Sequence, residues 1–184
     1  IETQMSYVIS DPHYLDFEFS LTPKKTPLSE NPRMGALFTS LLNKPGDAGI
    51  YALGTTESHP NPIWLRLSVD QPGAAMMAES AETGEKAPFT GWFLPMYYGL
   101  VQGYLYLVMF STAEVGGLEE TQLVLPWLST PTGQAKRPSW DFAFTSPTAR
   151  LNEKRLLRGR LVYKKFVSRE DVVDEYRKWA WKAQ

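Results

Sequence analysis

From His13 to Ser20 the chain alternates without a break: His13, Leu15, Phe17 and Phe19 fall on one side, and Tyr14, Asp16, Glu18 and Ser20 on the other. A repeat of two marks an extended strand with one buried face, because successive side chains leave opposite sides of the pleat. Further strand-like segments follow at 35–42, 49–53, 63–69, 91–94, 104–110, 121–125, 140–145 and 156–166. Fourteen prolines and thirteen glycines punctuate them. No helices alternate with them, as a parallel sheet would require. The expected fold is all-β, an antiparallel β-sandwich with a short C-terminal helix.

Segment 104–110, Tyr-Leu-Tyr-Leu-Val-Met-Phe, is apolar on both faces and reads as a central strand covered on each side. Tyr97-Tyr98-Gly99, after Pro95, reads as a turn leading into it. Segments 23–33, 71–88 and 129–138, rich in Pro, Gly, Ser, Thr and charge, read as long connections, with the Ala- and Met-rich piece at 73–81 kept as loop. A helix is expected over about 168–182. Ser168 stands three residues before Asp171, a variant of the capping box, and Val172, Tyr176, Trp179 and Ala180 recur at helical spacing. With 184 residues, 43% of them apolar, the chain is expected to form one domain over 1–184.

Nineteen basic against twenty acidic residues leave a formal charge of -1, so no nucleic-acid partner is expected. No run approaches the roughly 18 apolar residues of a membrane span, and no membrane partner is expected. Cysteine is absent, which excludes disulfides, thiolate nucleophiles and sulfur-ligated zinc. The sequence opens on Ile1 rather than Met, compatible with a removed leader or a fragment; the location stays open, with the periplasm or secretion favoured among the alternatives.

Asp16 and Glu18 share a strand face about 7 Å apart at the backbone, from a rise of about 3.3 Å per residue. Such a pair suits acid–base work, as in inverting glycosidases. Alternating acids are also the ordinary solvated face of a strand. His13 lies beside them as a third candidate for catalysis, or as a structural histidine; His59, the other histidine, sits in a loop. The motifs of zincins, EF-hands, phosphate loops and serine hydrolases are missing, so neither a metal site nor a cofactor is expected; calcium through Asp11, Asp70 or Asp141 stays open.

Trp64, Arg66 and Ser68 share one face of their strand. Indole stacks on the apolar side of a pyranose and guanidinium donates to hydroxyls or a carboxylate, so the pair suits a sugar; a cation–π contact on the sheet is the plain alternative. Arg158, Arg160 and Lys164 alternate along the last strand, either as a cleft for an acidic sugar or as edge protection.

Several segments together resemble an uncharacterised bacterial family of mutarotase-like or lectin-like β-sandwiches associated with carbohydrate utilisation. They are Pro12 to Phe19, Gly35 to Ser40, Tyr97-Tyr98-Gly99-Leu100, Trp140-Asp141-Phe142 and Val162 to Asp171 leading into Glu175 to Trp179. The resemblance implies a jelly-roll or mutarotase-like fold and a sugar context. The leading expectation is a carbohydrate-binding or carbohydrate-processing accessory protein with Tyr14, Trp64, Arg66, Tyr97, Tyr98, Trp140 and Asp141 facing a carbohydrate ligand. The alternatives are a sugar-active enzyme using His13 with Asp16 or Glu18 as acid–base groups, and an assembly module that self-associates through exposed aromatics.

Overall fold

The computed structural model describes residues 1–25, 34–41, 49–68, 77–111, 125–129, 139–146 and 150–182. Within them the chain forms β1 (Glu2–Ser10), β2 (Tyr14–Thr22), β3 (Met34–Leu41), β4 (Ile50–Thr56), β5 (Ile63–Ser68) and β6 (Met77–Ser80). Then come β7 (Lys86–Trp92), β8 (Met96–Val101), β9 (Tyr104–Phe110), β10 (Leu125–Ser129), β11 (Ser139–Ser146), β12 (Arg155–Lys165) and a single helix, α1 (Arg169–Lys182). The fold is all-β with a short C-terminal helix, as the period-two pattern predicts.

Nine strands pair in the order β1-β2-β12-β9-β8-β4-β5-β6-β7, and three more in the order β10-β11-β3, every pair antiparallel. β7 also returns to β4, so β4, β5, β6 and β7 close a ring at one end of the larger sheet. The two sheets meet where Phe19 of β2 and Phe38 of β3 stack edge to face, ring centres 4.9 Å apart.

Alternation along the central strands builds a core on each face. Phe17, Phe19, Leu21, Ile50, Leu65, Leu67, Tyr97, Val108, Phe110 and Leu157 cluster on the face toward Phe38. On the opposite face Met96, Tyr98, Leu105, Leu107, Met109 and Val162 lie under Val172, Tyr176 and Trp179 of α1. β9 is therefore covered on both sides, as its composition requires. Each large side chain so buried contributes about 2 kcal/mol.

The helix begins as its sequence dictates: the Asp171 backbone N–H donates to Ser168 Oγ at 3.2 Å. The neighbouring Glu170 carboxyl sits below its ordinary range because it accepts from its own backbone N–H and from the Ser168 hydroxyl.

Four readings need correction. Tyr97-Tyr98-Gly99 lies inside β8; the turn into β9 is Gln102-Gly103, both at positive φ (53° and 81°), the two-residue hairpin whose twist matches its strands. Part of the expected loop at 73–81 is β6, with residues 71–76 outside the described part, and the strand expected at 91–94 is β7, which ends at Trp92. At Pro88 the strand leaves β6 and Phe89 takes up β4, so the missing N–H falls where the partner changes. His13 sits in the β1–β2 turn rather than on β2. Of the strand expected at 121–125 only Leu125, in β10, is described, and residues 26–33 and 130–138 of the expected loops lie outside the described part.

Candidate functional site

The carboxylate pair and the basic stripe are each other's partners. Register sets Asp16 opposite Arg160 and Glu18 opposite Arg158. Arg160 donates through Nε and Nη2 to the two Asp16 oxygens, both at 2.6 Å, and Arg158 Nε donates to Glu18 at 3.0 Å. The Arg160 guanidinium also lies 4.6 Å over the Tyr14 ring. The Tyr14 hydroxyl donates to Glu175 of α1 at 3.1 Å, and Lys164 Nζ donates to Glu175 and to Asp171 at 2.9 Å. One row of alternating charge thus runs over β2 and β12 and ties the helix to the sheet.

Burial raises the Tyr14 hydroxyl above its ordinary 10.0, and the charge and hydrogen bond of Glu175 raise it further. For Lys164 burial opposes the charge, but the hydrogen bonds and charges of Glu175 and Asp171 outweigh it, so its pKa stands above 10.5. Near neutrality Tyr14 holds its proton and Lys164 its charge, so neither acts as a base.

A second cluster lies on the same face, across α1 from the first. Buried Tyr98 stacks on Tyr51 at 5.1 Å and on Phe166 at 6.0 Å, and meets Trp64 edge to face at 5.5 Å. Arg169 Nε, at the start of α1, donates to the Tyr98 hydroxyl at 3.4 Å. Arg66 lies two residues along β5 from Trp64, opposite Tyr51 on β4 and Glu79 on β6. Tyr51, Trp64 and Arg66 are each half-buried, so this shelf of ring and guanidinium is backed by the core and still reaches solvent.

The structure separates the remaining candidates. Tyr97 is 1% exposed and points into the opposite core, away from Tyr98, because neighbours on a strand face opposite ways. Trp140 and Asp141 lie on β11, in the smaller sheet, opposite Ser40 and Thr39 of β3. His13 is half-buried with its ring 4.4 Å from that of Tyr14, and its Nε2 is buried without a hydrogen-bond partner among the described residues. His59 contacts Ser58 and lies 3.7 Å from Glu85. No group of three His, Cys, Asp or Glu able to hold a metal occurs among the described residues; Asp11 lies exposed in the first turn, and Asp70 lies outside the described part.

Reasoning from sequence missed Tyr51, Arg169 and Glu175. Glu175 had a visible signal: it falls three residues after Val172 on the apolar stripe of the helix, where a charge is buried only with a partner. Tyr51 alternates with the buried Ile50 and Ala52 of β4. Among the described residues no helix is long and apolar enough to cross a membrane. No family model, no curated protein and no solved structure matches this chain.

Proposed function

We propose that this chain is a carbohydrate-binding protein whose ligand face is the shelf formed by Tyr51, Trp64 and Arg66. The observation that carries the reading is the support of half-exposed Trp64 by buried Tyr98, itself stacked between Tyr51 and Phe166. A sugar ring presents flat C–H faces and a rim of hydroxyls, matched by an aromatic surface with directional donors beside it. Rings already fixed by packing lose little freedom when a ligand arrives. Binding is favoured over catalysis because Asp16 and Glu18 each accept from an arginine of β12, an arrangement suited to joining strands rather than passing protons.

Calorimetric titration with neutral and acidic oligosaccharides tests the proposal. Binding to at least one set is expected, weakened at least about tenfold, or about 1.4 kcal/mol, by Trp64→Ala in protein whose circular dichroism is unchanged. No heat of binding from either set, or equal affinity in the variant, overturns it.

A further inference from the structure

We infer that the outer edge of β1 is the surface through which two copies of this chain pair, strand against strand, into one continuous antiparallel sheet. The larger sheet has unlike ends. At one, β7 closes onto β4; at the other, β1 pairs with β2 alone, and among the described residues no strand covers its outer side. Roughly half of the β1 backbone N–H and C=O groups face outward, enough for about eight to ten hydrogen bonds to a strand of equal length. That number matches the direct hydrogen bonds of an ordinary protein interface, about ten.

Strands that stay unpaired are protected by lysine, proline, a bulge or shortness. β1 has none of these: it runs nine residues, Glu-Thr-Gln-Met-Ser-Tyr-Val-Ile-Ser, in unbroken register with β2. Its apolar side chains stand in solvent, Met5 at 50%, Tyr7 at 65%, Val8 at 64% and Ile9 at 78% exposure.

The strand is complementary to its own reverse, which makes a second copy the occupant. Paired antiparallel about Ser6, Met5 faces Tyr7, Thr3 faces Ile9, Gln4 faces Val8 and Glu2 faces Ser10. The only charged residue of the strand thus meets a serine instead of its own copy, and Met5, Tyr7 and Ile9 of both chains form one apolar strip. A two-fold axis through Ser6, perpendicular to the sheet, keeps each face continuous across the junction. The neighbouring symmetric registers shorten the paired stretch.

The absence of cysteine permits a direct test. In Ser6→Cys the two sulfurs face each other across the axis, with Cα atoms about 5 Å apart, within disulfide reach. In Gln4→Cys they are offset roughly 13 Å along the strand. Both positions are exposed, so the fold tolerates either change. Oxidation is expected to cross-link Ser6→Cys nearly completely and Gln4→Cys hardly at all. Sedimentation of the unaltered protein is expected to give twice the chain mass, reduced to a single chain by Tyr7→Lys. A single-chain mass at every concentration, or equal cross-linking at both positions, overturns the inference. Oligosaccharide binding by Trp64 is read separately, so failure of either proposal leaves the other to stand or fall by its own assay.

Discussion

The two faces of the nine-stranded sheet are held by different physics. Toward Phe38 the hydrophobic cluster is constrained by shape, with Phe17 lying over Gly159, its cross-strand neighbour on β12. The buried Arg155, on the same side of β12 as Leu157, is paired with Glu153. Under α1 the apolar stripe shares the interface with a buried acid, Glu175, which holds Lys164 and the Tyr14 hydroxyl. Added volume at Gly159 therefore tests the first face, and loss of the Glu175 partner tests the second. The half-buried Tyr51, Trp64 and Arg66 lie on this second face, beside the packed rings of Tyr98 and Phe166.

Gly159→Ala tests the shape-limited face most severely. A Cβ there overlaps the Phe17 ring and lies 2.7 Å from the Met109 carbonyl oxygen, and a loss of about 3 kcal/mol is expected in urea unfolding. An unchanged midpoint would show that this face yields to added volume. On the other face, Glu175→Ala leaves the Tyr14 hydroxyl without its acceptor and Lys164 with Asp171 alone; about 2 kcal/mol is expected to be lost. Glu175→Gln, which keeps an acceptor, should lose less, and equal losses would rule out hydrogen bonding as the cause.

Alkali separates the faces by another route. Tyr14 and Lys164 both have folded-state pKa values raised above the unfolded ones, 10.0 and 10.5. Their contribution is complete below those unfolded values and is lost as pH rises through the higher folded ones. Thermal midpoints followed from about pH 8 to about pH 11 should fall more steeply for the unaltered protein than for Tyr14→Phe combined with Lys164→Met. Parallel curves would remove the linkage. The smallest effect is expected at the exposed end of the charged row, where Glu18→Ala should change stability by less than about 1 kcal/mol, because solvent screens its pair with Arg158.

Local pattern made much of this legible. The alternation of β2, the two-sided apolarity of β9 and the capped stripe of α1 each follow from neighbours a few residues apart. What eluded the sequence depends on register between distant strands. Asp16 with Glu18, and Arg158 with Arg160, stand out as two separate features, and nothing local reveals that they pair across 144 and 140 residues of chain. β8 reads as a turn because paired tyrosines after a proline resemble one, whereas Gln102-Gly103 is the turn. β1 is less legible although Thr3, Met5, Tyr7 and Ile9 alternate, because Val8 adds an apolar residue to the other face and the apolar residues of both faces lie in water.

The return of β7 onto β4 sets a limit on assembly. Among the described residues each larger sheet has a single open margin, β1, since β7 at the far border pairs with β4. If a second copy occupies that margin, as proposed, addition saturates there, and among the described residues the larger sheets of the pair keep no edge from which a fibre could grow.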